Sequence, residues 1–232
     1  WQTSYGISER VIATIIAFHS DDKGLVLPPL IAPIQIVVIP IPVVDDEEKQ
    51  CVVMEYARSI YEELKQAGIR VKLDDREDLR PVDKYFEWEF KGVPLRIEIG
   101  RLEAEQHRVT IFRRDTMQRI SIDRKELLKV IRELFDDIDI ELRERAWNWF
   151  KEKIKTFDAI EEAVEYVKSS GGIAQIPWCG DERRAQEAIE QLEGLAALGV
   201  PIPIIEEVNV EGKRCAICGR KAKTYLRIAK RY

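Results

Sequence analysis

Between residues 34 and 122, short apolar or alternating runs are separated by stretches of helical periodicity, and this alternation constrains the fold more than any other feature. Ile34-Gln35-Ile36-Val37-Val38-Ile39 is a β-branched run of the kind buried on both faces of a sheet, ended by Pro40 and Pro42. Asp45 to Ala67 carries Val52, Val53, Tyr56, Ile60 and Leu64 on one helical stripe, with Asp45 or Asp46 available as N-cap and Gly68 at the C-terminal end. Cys51 falls on the same stripe and reads as core. Ile69 to Leu73 alternates as a strand, and Val82 to Lys91 is a short aromatic-rich helix before Gly92. Leu95 to Ile99, Val109 to Phe112 and Arg119 to Ile122 are further strands. Strands separated by helices imply a mixed sheet with crossover connections.

The flanks read differently. Trp1-Gln2-Thr3 reads as the middle of a strand, and Ser8 to His19 as a helix apolar nearly all round, hence one to be buried against something larger. A strand without a start and a helix without a partner predict that the chain is the C-terminal part of a longer protein. After the sheet region, a long helix begins near Asp123, with Leu127, Ile131, Leu134, Ile138, Leu142 and Trp149 in helical register. A second helix spans Thr156 to Ser169 with Thr156 as its cap, Gly171-Gly172 breaks it, and Ile173 to Cys179 follows. Lys223 to Lys230 is a closing alternating strand.

Composition narrows the classes. An apolar fraction of 45% supports a proper core in 232 residues, and 34% charged residues of both signs suit a surface rich in ion pairs. The net charge of -5 does not advertise a nucleic-acid binder, yet phosphates are met by patches: Lys213 to Arg231 holds eight Lys or Arg and no Asp or Glu. No apolar run is long enough to span a membrane and no signal peptide opens the chain. Four cysteines, two of them in Cys215-Ala216-Ile217-Cys218, fit a reduced, cytoplasmic protein.

Three constellations carry chemistry. Cys215 and Cys218 with Gly219 are the usual half-site of a zinc knuckle, or else a redox pair or idle thiols; Cys179-Gly180 supplies a third thiol on a similar turn. The stretch Lys84-Tyr85-Phe86-Glu87-Trp88-Glu89-Phe90-Lys91-Gly92-Val93-Pro94-Leu95-Arg96-Ile97-Glu98 mixes rings, carboxylates and cations. Unpaired bases are read by stacking on aromatic or guanidinium planes and by hydrogen bonds to their edges, so this mixture suits guanines, although rings on an amphipathic helix are more often plain core. Finally, Gly6-Ile7-Ser8-Glu9-Arg10 leads into the apolar helix and puts a planar guanidinium, well matched to phosphate oxygens, in its first turn.

This last stretch, read as Gln2-Thr3-Ser4-Tyr5-Gly6-Ile7-Ser8-Glu9-Arg10 together with Asp21-Asp22-Lys23-Gly24-Leu25-Val26-Leu27-Pro28-Pro29 beyond the helix, resembles motif 3 of class II aminoacyl-tRNA synthetases. Among them it is similar to the prolyl-tRNA synthetases of the archaeal and eukaryotic type, over essentially the whole chain and most closely at 2–29, 73–100 and 171–232. The resemblance implies an α/β chain in three parts. These are the tail of a class II antiparallel-sheet catalytic domain (1–29), an α/β anticodon-binding domain with a mixed five-stranded sheet flanked by helices (30–122), and a long helix with a small α+β zinc-type C-terminal domain (123–232).

By the same resemblance, the parent enzyme activates proline with ATP and Mg²⁺ and esterifies the 3′ end of tRNA(Pro), as a homodimer. Arg10 is implied as the catalytic contact to ATP, with Gln2 and Thr3 also facing the nucleotide. Ser4, Tyr5 and Gly6 wall the proline pocket. Tyr85 takes the stacking position of the anticodon site, and Glu89 and Arg96 its base-edge contacts. The family's next basic residue, in a Gly-Pro-Lys-Asp run, is replaced here by Gly100-Arg101-Leu102-Glu103, where Leu102 cannot act and Arg101 is one position away. Cys179, Cys215 and Cys218 are implied zinc ligands, but the family's remaining cysteine position holds Arg184, which leaves Asp181, Glu182 or water to complete the site, or no zinc. The terminal carboxylate of Tyr232 is implied to lie near the active site. Motifs 1 and 2 and the magnesium ligands are absent, so this chain is not expected to be active alone. The competing reading is a non-catalytic tRNA- or RNA-binding accessory protein with a synthetase-derived anticodon domain, which would have no use for Arg10. Synthetases for threonine, histidine or glycine are not expected to end in a Cys-x-x-Cys domain.

Overall fold

A computed structural model describes residues 2–44, 46–190, 194–202 and 208–231. Two compact units divide between Ala146 and Trp147.

The first unit opens with residues 2–7 in no regular structure, followed by helix α1 (Arg10–His19). The strand expected at Trp1–Thr3 is not formed at Gln2 and Thr3, and Trp1 lies outside the described residues. A strand needs a neighbour to pair its backbone groups, and this segment is given none. None of α1 is buried, and its apolar Val11 and Ile12 are 50% and 61% exposed.

A five-stranded mixed sheet forms the centre of the unit, with β1 (Ile36–Pro40), β2 (Val71–Leu73), β3 (Leu95–Ile99), β4 (Arg108–Arg113) and β5 (Arg119–Asp123) in the order β2-β1-β3-β4-β5. The first three are parallel, because α2 (Glu47–Gln66) and α3 (Pro81–Phe90) supply the crossovers; β3-β4 and β4-β5 are antiparallel. Asp46 caps α2 by accepting from the Lys49 N–H, and Asp45 lies outside the described residues. A six-residue helix, α4 (Arg101–Gln106), follows β3 and was not foreseen.

One face of the sheet packs Ile36, Val38, Leu95, Ile97, Ile99, Val109 and Ile111 against α2 and α5 (Leu127–Lys153). Each such side chain, fully buried, contributes about 1.5–3 kcal/mol. Leu127, Ile131, Leu134, Ile138 and Leu142 of α5 join this core, which is why the first unit extends beyond the expected limit at 122; Trp149 on the same register is 49% exposed. Asp123 caps a single 3-10 turn before α5 begins. On α2 the buried stripe is Val53, Tyr56, Ala57, Ile60 and Leu64, so Val52 and Cys51 fall outside it. Cys51 is exposed, 3.8 Å from Glu55 Oε1, and is not the core residue its apolar character suggested. The other face holds a smaller cluster of Val37, Ile39, Trp88 and Val93, with Ile34 and Tyr85 against it.

The second unit has a four-stranded sheet of order β6-β7-β9-β8, from β6 (Ile154–Thr156), β7 (Ile173–Trp178), β8 (Leu195–Gly199) and β9 (Thr224–Lys230). Helices α6 (Ile160–Ser170) and α7 (Glu182–Glu190) accompany it. Thr156 is not a helix cap: it pairs with Gln175 in the parallel β6-β7 ladder, and α6 begins four residues later behind Ala159. Its core gathers Ala163, Val167, Ala174, Ile176, Trp178, Leu226 and Ile228. Among the described residues, no helix is long and apolar enough to cross a membrane.

Candidate nucleic-acid interface

Strand periodicity builds the candidate site. Side chains two apart share a face, so the register places Lys72, Val37, Arg96, Phe112 and Arg119 in one row across five strands, and Ile39, Glu98, Thr110 and Ser121 in the next. Above these rows α3 supplies Tyr85, Trp88 and Glu89.

Arg96 is the centre. Its side chain is only 3% exposed, and its guanidinium carbon lies 4.0 Å from the Tyr85 ring centroid and 4.1 Å from that of Phe112. In the plane, Nη1 donates to Glu89 Oε1 at 2.7 Å and Nε to Glu98 Oε1 at 2.9 Å. Nη2 is 2.8 Å from that same Glu98 oxygen but off hydrogen-bond geometry, so it remains a buried donor without a hydrogen-bond partner. A guanidinium cannot shed its proton, so the charge at this depth persists and the two carboxylates compensate it. Arg119, half exposed, completes the group: it lies 5.2 Å from the Phe112 ring and donates to Glu98 Oε2 at 3.2 Å. Burial and the neighbouring Glu98 push the Tyr85 hydroxyl up to about 12, against the opposing pull of Arg96 and Arg119. It is therefore a hydrogen-bond donor at neutral pH.

The structure thus brings together the three residues expected for base reading, and adds Glu98, Phe112 and Arg119. Phe112 and Arg119 lie on other strands, and only the register reveals that they share the row of Arg96. Of the residues replacing the family's basic run, Glu103 accepts from the Gly100 N–H and from Thr110 Oγ1, Arg101 is tied to Glu105 at 2.6 Å, and Leu102 is 63% exposed.

A second buried centre supports α3 from behind. Asp74, 2% exposed, accepts from Arg76 at 2.8 and 2.7 Å and from Trp88 Nε1 at 2.7 Å, and Lys84 Nζ donates to its backbone carbonyl at 3.2 Å. Burial alone would raise this carboxyl, but the Arg76 and Trp88 hydrogen bonds and the Lys84 charge bring it down to about 2.

Elsewhere, Gln2, Thr3, Ser4, Tyr5 and Gly6 are exposed, and Arg10 is an exposed first residue of α1. Cys179, Cys215 and Cys218 converge, with all three sulfurs within 4.8 Å of one another. The turn at Cys215–Gly219 is closed by the Gly219 N–H to the Cys215 carbonyl at 2.9 Å, with Gly219 at φ 73°, where a side chain would be strained. The Ala216 N–H docks that turn on the Pro177 carbonyl, beside Cys179. Asp181 does not join the cluster: its carboxylate is held by Arg220 and, at 3.5 Å, by Arg184. Arg220 Nε also approaches Cys218 Sγ at 3.4 Å and brings that thiol down to about 6, while burial raises Cys179. Tyr232 lies outside the described residues.

Comparison with known proteins agrees with this division. Residues 35–134 match the family described as "Anticodon binding domain", and residues 160–232 the family described as "Prolyl-tRNA synthetase, C-terminal". Curated proline--tRNA ligases of Aeropyrum pernix and Pyrococcus abyssi are 50% and 49% identical over all of this chain, which covers 47% of each. Among solved structures, the Giardia lamblia prolyl-tRNA synthetase in complex with prolyl-adenylate matches 97% of this chain and is itself covered to 48%, with a TM-score of 0.88 and 31% identity. The Cryptosporidium parvum prolyl-tRNA synthetase complexed with L-proline and AMP gives a TM-score of 0.84 at 30% identity, with 96% and 46% covered. The chain spans about half the length of the curated relatives it matches, and over its whole length it is similar to prolyl-tRNA synthetases.

Proposed function

We propose that this chain is the anticodon-reading part of a proline--tRNA ligase, which activates proline with ATP and joins it to the 3′ end of tRNA(Pro). The observation that carries the reading is the Arg96 guanidinium. It is stacked between Tyr85 and Phe112 and held in plane by Glu89 and Glu98, with Nη2 ion-paired to Glu98 but making no hydrogen bond. A fixed donor beside carboxylates that accept base amino groups suits the acceptor and donor edges of a guanine. Tyr85, Glu89 and Arg96 are the reading residues, with Glu98, Phe112 and Arg119 completing the surface.

Arg10 is assigned to the phosphates of ATP, with Gln2 and Thr3 on the nucleotide and Ser4, Tyr5 and Gly6 walling proline. At the start of a ten-residue helix, a guanidinium and free backbone N–H groups both favour an anion. In the activation step the proline carboxylate attacks the α-phosphorus and pyrophosphate leaves; little proton transfer is required, so orientation and charge stabilisation carry the rate. Mg²⁺ bound to the phosphates would neutralise part of that charge, from ligands outside this chain. A homodimer, and a C-terminal carboxylate at Tyr232 near the active site, follow from the family resemblance.

Cys179, Cys215 and Cys218 fit a structural zinc ion in donor type and convergence. With Asp181 bound by arginines, Glu182 or water is left for the fourth position.

The test is binding of this chain to a proline anticodon stem-loop, compared with one whose two guanines are replaced. Preference for the guanine-bearing loop supports the reading. Equal, salt-sensitive binding to both would reduce the site to a general RNA surface.

A further inference from the structure

Arg114 has no part in the surface just described, yet it is among the most enclosed side chains of the protein, at 1% exposure. Its Nη1 and Nη2 grip the two oxygens of Asp21 at 2.8 and 2.5 Å, across 93 residues of sequence. Its Nε donates to the backbone carbonyl of Glu89 at 3.0 Å, and its own N–H to the Pro94 carbonyl at 3.0 Å. The Glu89 carbonyl belongs to the last turn of α3, where a cation is favoured, and it accepts from the Gly92 N–H at 3.0 Å as well as from Arg114. One residue is thus held at both ends: the Glu89 carbonyl by Arg114 and its carboxylate by Arg96.

Backbone packing tightens the same joint. The Leu25 N–H donates to the Phe90 carbonyl at 3.0 Å. Gly24 sits at φ 134° with Phe90 so close that an added Cβ would lie 2.5 Å from its Cα; a Cβ on Gly92 would lie 2.6 Å from Leu25 Cβ. Only glycine fits at either place. Asp21, in turn, is fixed by a reciprocal backbone pair with Gly24 and by the Lys23 N–H to its Oδ1 at 2.9 Å.

We infer that Asp21 and Arg114 form a positioning link that holds Glu89 of the base-reading face to the loop following α1, so that anticodon discrimination depends on that loop. The inference rests on the proposed anticodon reading. Its physical basis is that Arg114 cannot deprotonate, so Asp21 is the counter-ion that lets it stay enclosed and hold the Glu89 carbonyl. Removing the carboxylate charge frees α3's last turn to shift, and a base-edge contact tolerates little displacement.

The experiment uses the full-length enzyme with Asp21→Asn, Asp21→Glu and wild type. Aminoacylation efficiency is measured on tRNA with the intact anticodon and with its two guanines replaced, alongside proline-dependent pyrophosphate exchange without tRNA. In Asp21→Asn the ratio of the two efficiencies should fall about tenfold, equivalent to about 1.4 kcal/mol. Asp21→Glu, which restores the charge, should recover part of the ratio. An unchanged ratio in Asp21→Asn overturns the link. Equal losses in exchange and in charging of both tRNAs also overturn it, because the pair would then be a general stabiliser. A wild-type enzyme with no anticodon preference is a different failure: it removes the anticodon reading itself, and the link with it.

Discussion

At the scale of single residues, the chain pays for its buried charges with partners chosen from both sides in sequence. Asp74 is the clearest case, because Trp88, Arg76 and the enclosed Lys84 all depend on it. Asp74→Asn should destabilise the first unit by about 3 kcal/mol, since it leaves the Lys84 charge uncompensated; urea unfolding of wild type and variant measures this. The pH dependence has a definite sign. Asp74 and Asp21 both titrate near about 2 in the folded protein, Asp21 through its Arg114 hydrogen bonds, and both lie below the ordinary carboxylate range. Their contribution is therefore complete above about pH 4 and lost as pH falls toward 2. Unfolding midpoints recorded from pH 6 downward should drop in that window, and less steeply in Asp74→Asn. None of this partnering was legible in the sequence, where Arg114 and Asp74 stand beside other charged residues and no local pattern marks either as buried. What buries Arg114 and Asp74 is the approach of segments far apart in the chain, which a local pattern does not carry.

At the scale of elements, periodicity carried much of the first unit. The β-branched run at β1 and the alternation at β3, β4 and β5 announced strands, and the α2 stripe announced its buried face. Shorter elements escaped: α4, at six residues, is too brief for a helical period. In the second unit, Leu195–Gly199 has little strand character of its own and is a strand because it pairs with β9. Of the proposed reading face, Tyr85, Glu89 and Arg96 were named from the motif, whereas the approach of Phe112 and Arg119 to them required the sheet register. The contact between α3 and the loop after α1 is an element-scale feature with its own test. Gly24→Ala, at φ 134°, places a side chain against the Phe90 backbone, whereas Gly68→Ala, at φ 79°, meets open space. Gly24→Ala should cost about 1–3 kcal/mol, and Gly68→Ala about 1; denaturant midpoints of the two variants separate close approach from backbone strain.

At the scale of the whole molecule, there are two units with separate sheets and cores, and the proposed roles fall one to each. One bears the reading face; the other brings together three thiols carried by β7's end and the Cys215–Gly219 turn. Protein prepared without chelator should carry about one zinc per chain, the occupancy of a single site built on the three thiolates. It should fall well below that in Cys215→Ser, as read by elemental analysis; a metal-free wild type would contradict the assignment. The central claim, however, concerns the first unit, and its most direct measurement is the Arg96→Ala variant bound to the proline anticodon stem-loop and to its guanine-replaced counterpart across a salt series. The account predicts that the variant binds both RNAs alike with the salt slope of wild type, because the lost contact reads base edges and not phosphates. Retention of the guanine preference in Arg96→Ala would contradict it.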